Sequence, residues 1–409
     1  MSVILAYIQI FASYFCGILL YFFPGIITYR QFALIMAVIS SLYILREIIA
    51  NKGKVSKTLF VVTIIAVFAL LSYRLLTPAL QRESTPSQFN SNFLALVGQV
   101  FPSILTACLI SQHEETQERI KAWAPYIAIL FTLVALVCTL RPATSTSAHL
   151  TENLNGFDYQ VVSYVAAYSS GLLGFYLISR EGVSQIGIFK TKAGIPIAFF
   201  GIFLDLLITL LSGGRGGFVT LILLGIVTAF LSIRFSRISP GTLLKALAVI
   251  VIIIIGGYLA IRYVSNTTLS TVGFSRILNL LSGGGDYRRA AKRMAAVSAF
   301  SERPIIGHGL GSVFYVIGEY THNFFTDALV EGGTVLVILL VVLLGYAFRS
   351  AIVLIQKDPT NVMWIYVFLC GFIMSMFSGY YLTHFPLWWG LIFIIAKVKT
   401  NNSETKQTQ

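Results

Sequence analysis

Residues 325–348 read Phe-Thr-Asp-Ala-Leu-Val-Glu-Gly-Gly-Thr-Val-Leu-Val-Ile-Leu-Leu-Val-Val-Leu-Leu-Gly-Tyr-Ala-Phe. From Thr334 onward this run has no charged side chain, and a bilayer-spanning helix needs about 20 mostly apolar residues. Its first turns nevertheless carry two acids, Asp327 and Glu331, one helical turn apart. Similar apolar runs recur at 3–23, 31–50, 58–77, 92–111, 122–141, 159–179, 195–212, 217–233, 246–264, 362–382 and 385–396. Composition agrees: 56% of residues are hydrophobic and 11% charged, against roughly 25% charged in a soluble domain. A soluble enzyme, a disordered chain and an outer-membrane barrel, whose strands alternate in short segments, are excluded. The sequence predicts an all-α polytopic membrane protein of about 12 transmembrane helices.

Working outward from that run, residues 1–264 form an N-terminal transmembrane bundle of about nine spans. A large external loop follows at 265–324, then C-terminal transmembrane helices at 325–396 and a tail at 397–409. The net charge of +13 is a matter of membrane side rather than nucleic acid. With both termini inside, most lysines and arginines fall in short cytoplasmic segments, as the positive-inside rule requires. The partner so implied is a lipid bilayer. Lys292 is the only lysine assigned to the outer side, where the other cations, Arg215 among them, are arginines. Lysine can simply follow topology; alternatively, the planar fork of arginine, which matches phosphate oxygens, marks an external anion site. The four cysteines fall in apolar runs, where cysteine packs as a small hydrophobe, so no disulfide framework is expected. No metal-ligand spacing is present, and the first run lacks the basic start and cleavage site of a signal peptide.

The outer loop holds the chemistry. Residues 286–303 form an amphipathic pattern: Asp286 can cap, Pro304 stops the helix, and Ala290, Met294, Val297 and Ser301 share a stripe. Arg288/Lys292 and Arg289/Arg293 repeat at i, i+4 on a basic face, after Tyr287. Such a helix can lie in the interface plane, as a headgroup anchor or as a holder of guanidinium groups over a lipid-borne phosphate. A glycine-rich turn follows, Pro304-Ile305-Ile306-Gly307-His308-Gly309-Leu310-Gly311. His322-Asn323 then opens the tenth span, where a helix N-terminus favours anions. Between two earlier spans stands Ser212-Gly213-Gly214-Arg215-Gly216-Gly217. A charge at the membrane edge tends to mark a site or a partner, and the small residues permit close approach by a ligand or by another backbone. Asp205, deep in the preceding span, reads as a buried hydrogen-bonded carboxyl.

Taken together, these segments resemble the O-antigen ligase/polymerase family of bacterial envelope enzymes. The resemblance rests on the Arg215 motif, Tyr287-Arg288 ahead of an amphipathic helix, the 304–311 turn, and His322-Asn323 followed by Glu331-Gly332. It covers about residues 195–345 and includes the large external loop. It implies an architecture like that of C-type glycosyltransferases and an inner-membrane enzyme with a periplasmic active site. The donor it implies is an undecaprenyl-pyrophosphate-linked oligosaccharide, with no metal ion or cofactor. By position, Arg215 and Arg288 would bind the pyrophosphate and His322 would act on the acceptor hydroxyl; the aligned arginine falls on the pair Arg288-Arg289. Arg289, Lys292, Arg293, His308, Tyr287 and Glu331 complete the expected pyrophosphate and glycan contacts. Ligases pass the glycan to lipid A-core, whereas polymerases pass a growing chain to the next lipid-linked repeat. The stretch Tyr159-Gln160-Val161-Val162-Ser163-Tyr164 looks more like a polymerase, for which a chain-length regulator and a flippase are the expected protein partners. The alternative of another class is a flippase for the same lipid. Carriers often show paired repeats, whereas no internal duplication is visible here.

Overall fold

Apolar runs of this length become helices because, without water to bond them, backbone N–H and C=O groups must pair within the segment. A computed structural model describes residues 2–23, 25–50, 57–73, 87–140, 159–180, 182–183, 185–212, 214–235 and 287–407. The described residues are all-helical, without strands, and form an α-helical membrane protein. Seven of their helices are long and apolar enough to cross a membrane, and Thr58–Leu71 and Arg215–Leu231 are shorter apolar helices. The expected ninth span, 246–264, and the loop up to residue 286 lie outside the described residues.

In chain order the helices are α1 (Ser2–Ile10), α2 (Ala12–Phe22), α3 (Tyr29–Ala50), α4 (Lys57–Leu71), α5 (Ser87–Ala95) and α6 (Phe101–Ile110). Then come α7 (Glu114–Leu140), α8 (Tyr159–Ser179), α9 (Gly194–Ser212), α10 (Arg215–Phe235), α11 (Tyr287–Glu302), α12 (Phe324–Lys357), α13 (Val362–Phe377) and α14 (Phe385–Gln407). Several of these differ from the expected spans; α7 begins eight residues early, α12 runs on to Lys357, and α13 stops at Phe377, five residues short. The run 3–23 breaks at Phe11, whose ring is wedged edge-on against Phe131 and Tyr168. Between α5 and α6 the chain widens into a π-turn, Leu96–Val100, just before Pro102, which has no N–H to give to a tight turn. The last helix outruns its apolar segment, and Lys397 on it pairs with Glu114 at 3.5 Å.

The core is a set of close helix contacts built on small residues. A Cβ on Gly371 of α13 would lie 2.2 Å from Leu387 N, and one on Gly390 of α14 would lie 2.7 Å from Phe368 N. Large rings fill the space beside these contacts, with Trp389 stacked on Phe393 and Trp364 tilted against both. Three helices are stitched in their apolar middle. Thr132 of α7 donates to Asp205 of α9 at 2.9 Å and lies 2.6 Å from Ser169 of α8. Asp205 is thus the buried, hydrogen-bonded carboxyl expected from the sequence. All four cysteines are free and buried.

The two ends of the bundle differ. At one end Lys121, nearly inaccessible, donates to Glu118 at 2.7 Å and to Thr360 at 2.6 Å, and lies 3.6 Å from Asp358. Burial pushes the Asp358 carboxyl up, but hydrogen bonds from Thr360 and the Lys121 charge outweigh it and hold the group below its ordinary value. The opposite end carries the Arg215 turn, α11 and the 304–323 loop.

Gly371→Val should drive α13 and α14 apart, at a cost of about 1–3 kcal/mol for overpacking. Thermal unfolding in detergent should show a clear drop for this variant. Gly345→Val, where a Cβ meets nothing within 4 Å, should leave the transition unchanged.

Candidate functional site

The Arg215 turn is tight because α8 lies against it. A Cβ on Gly216 would fall 1.9 Å from the Tyr164 hydroxyl and 3.2 Å from Phe377 Cβ; one on Gly217 would fall 1.9 Å from Ser163 Oγ. Ser163 Oγ donates to Gly214 O at 2.8 Å, and Ser378 Oγ donates to Gln160 Oε1 at 2.9 Å. Gly217 therefore admits the backbone of α8, with Ser163 O 2.6 Å from its would-be Cβ, while Gly216 makes room for the Tyr164 side chain. The Gln160–Tyr164 stretch is what the turn receives. Arg215, half-buried, is the first residue of α10, where unpaired N–H groups add to its positive charge.

The second element is a broken helix. Inside α12, Gly333 takes φ 59° and ψ −157°, a region essentially reserved for glycine. The groups freed by the break are bonded by the glycine-rich turn. His308 N donates to Val330 O at 2.9 Å and Gly309 N to Glu331 O at 2.7 Å; Thr334 N donates to Pro304 O at 2.8 Å and Val335 N to Ile305 O at 3.1 Å. There is no room for side chains at this splice. A Cβ on Gly307 would sit 2.5 Å from Gly332 N, and one on Gly333 would sit 2.5 Å from Ile305 O. Two motifs about 20 residues apart in sequence are one structural unit.

The broken helix carries the acids into a buried polar shelf. Glu331 is 1% exposed; Tyr380 OH donates to its Oε1 at 2.7 Å and Tyr381 OH to its Oε2 at 2.8 Å. Asp327, fully buried, accepts from Thr321 N at 2.7 Å, and its Oδ2 has no hydrogen-bond partner among the described residues. Asn323 caps α12 by accepting from Thr326 N at 3.0 Å. Between these anchors His322 is held at φ 62°, the one non-glycine residue with positive φ among those described. Its ring meets Tyr320 edge-on at 4.4 Å. The same end holds a second histidine that the sequence reading passed over. His384 is buried beside Gly379, and burial pushes its imidazole down to about 4, so it is neutral at physiological pH.

The basic helix α11 docks beside the shelf. Lys292 pairs with Glu319, Arg293 is exposed and donates from Nε to Arg289 O at 3.3 Å, and Arg289 is half-buried. Tyr287 and Arg288 open the helix, and their side chains lie outside the described part of the structure. His308, expected as a substrate contact, is instead turned inward. Its Nε2–H donates to Ala299 O at 2.8 Å and fastens the turn to α11. Glu331, likewise expected to touch substrate, has both carboxylate oxygens taken by tyrosines. Those tyrosines escaped the sequence reading because their partner lies 49 and 50 residues away.

The turn and the shelf are close neighbours. Gly216 packs on Phe377, and Phe377 is three residues from Tyr380, a path of at most about 11 Å. Thr321, bonded to Asp327, directly precedes His322. Among the described residues no group of three or more His, Cys, Asp or Glu side chains is placed to hold a metal ion.

No family model and no curated protein matches this chain.

Gly333→Ala should cost about 1–3 kcal/mol from its backbone alone, with a further clash against Ile305. A lowered unfolding temperature is expected, while Gly225→Ala, facing open space, should behave as the parent. Equal stability of the two variants would contradict the splice.

Proposed function

We propose that the chain is a surface-polysaccharide polymerase of the bacterial inner membrane. It transfers a growing glycan from undecaprenyl pyrophosphate to the next lipid-linked repeat unit at the periplasmic face. The observation that carries this reading is convergence. The Arg215 turn, the Gln160–Tyr164 stretch, the 304–311 turn, His322 and Glu331-Gly332-Gly333 are scattered in sequence, yet they meet at one end of the bundle. The resemblance drawn from the sequence supplies the chemistry.

Glycosyl transfer from this donor asks the protein for position and charge. The acceptor oxygen forms a bond to the anomeric carbon while the bond from that carbon to the phosphate oxygen breaks. The electron pair leaves on the pyrophosphate, and the hydroxyl proton passes to His322 as general base. Arg215, the N–H groups of the first turn of α10, and the Arg288-Arg289 pair supply preorganised positive charge for the departing diphosphate. A single displacement inverts the configuration at that carbon. Asp327 and Glu331 serve as positioning residues: Asp327 Oδ1 holds the Thr321 amide beside His322, and both Glu331 oxygens accept from Tyr380 and Tyr381.

In cells that depend on this protein for surface polymer, Arg215→Ala should cut transfer by about 10²–10³-fold, the usual cost of losing one such donor. The polymer ladder should collapse to single repeats. His322→Asn is the sharper test of the base, because asparagine tolerates positive φ but cannot take the proton. It should give the same collapse with normal protein levels. A full-length ladder from either variant would overturn the assignment, and wild-type product carried on lipid A-core without prior chain growth would point to a ligase.

A further inference from the structure

α11 is fastened to α12 by its small side chains: Ala296 and Ala299 are buried together with Val330. That docking turns the larger apolar side chains away from the protein. Met294 is 74% and Val297 63% exposed, and in the next turn Ile305 is 66% and Ile306 72% exposed. A cluster of this kind marks an interaction surface, and its surroundings say what covers it. Val335 N donates to Ile305 O, so the isoleucine pair abuts the second half of α12. There Val335, Ile338, Leu339 and Val342 all face outward, as the lipid-facing stripe of a spanning helix does. The patch continues that stripe beyond the end of the span. At 100° per residue, Arg293 borders the patch on the side nearer the docked face. Ala291, Ser298 and Glu302 lie on the far side, with Arg303 just beyond the helix end.

We infer that α11 and the 304–306 turn form a membrane-surface docking face whose occupant is a bilayer containing anionic phospholipid. Met294, Val297, Ile305 and Ile306 enter the headgroup–acyl boundary, and Arg293 and Arg303 rest on lipid phosphates, their stems lying along the apolar surface. Glu302 faces away from the lipid. The inference is independent of the glycosyl-transfer reading. It fixes the depth of the 304–335 splice at the bilayer surface whatever reaction occurs there.

The test places a nitroxide on the full chain in lipid nanodiscs, after Cys16, Cys108, Cys138 and Cys370 are replaced by alanine. Met294→Cys and Val297→Cys should be more accessible to oxygen than to a water-soluble nickel chelate. Ala291→Cys and Ser298→Cys should show the reverse. Leu339→Cys, on the spanning stripe, reports that each preparation is folded and embedded. Nickel-accessible labels at all four α11 positions would overturn the proposal, as would shielding of 294 and 297 from both reagents by a second copy. Adding phosphatidylglycerol to phosphatidylcholine discs should deepen the 294 label, and Arg293→Gln with Arg303→Gln should abolish that shift. Equal depth in both lipids would overturn the phosphate contact.

Discussion

The arrangement depends on one requirement: an apolar helix broken within its length must have its freed backbone groups bonded again. Gly333 breaks α12, and residues 304–309 bond the groups on both sides of the break. Without that turn, carbonyls of Val330 and Glu331 and amides of Thr334 and Val335 would be unpaired. Each buried unpaired group costs about 1–3 kcal/mol. The break also lets the first part of α12 present Asp327 and Glu331 to a polar shelf while its second part remains a spanning helix.

From that splice the other parts take their positions. His308, in the middle of the turn, fastens α11; Asp327 fixes Thr321 and so the backbone of His322. Glu331 gathers Tyr380 and Tyr381, whose segment runs back to Phe377 and the glycines beside Arg215. A cation, a strained histidine and buried acids are thereby held on packed helix ends rather than on free loops. Such rigidity suits a reaction in which fixed charge meets a leaving diphosphate.

Seven of the expected spans were legible because apolar length is a strong local signal, and the helix expected at 286–303 is α11 within a residue or so of each end. What escaped had causes distant in sequence. The ring contacts of Phe11 at its break, with Phe131 and Tyr168, and the pairing of Lys397 on α14 with Glu114 all join residues far apart in the chain. The glycines around Arg215 could be read as room for a ligand or for a backbone, and only the position of α8 shows that its Ser163 backbone and Tyr164 side chain take the room beside Gly217 and Gly216. His308 looked available because its partner, a main-chain carbonyl on α11, leaves no trace in the residue pattern. The Tyr380-Tyr381 doublet stood in an apolar run with nothing local to mark it. The acids Asp327 and Glu331 were visible one turn apart, but their engagement by Thr321 and the tyrosines was not.

The most direct measurement follows the purified protein in nanodiscs supplied only with undecaprenyl-pyrophosphate-linked repeat units. Glycan length and free undecaprenyl pyrophosphate are read together. Stepwise lengthening with one carrier lipid released per new glycosidic bond is the predicted result. Repeat units that cross the bilayer in liposomes yet never lengthen, with no carrier released, would contradict the account and make this a transporter.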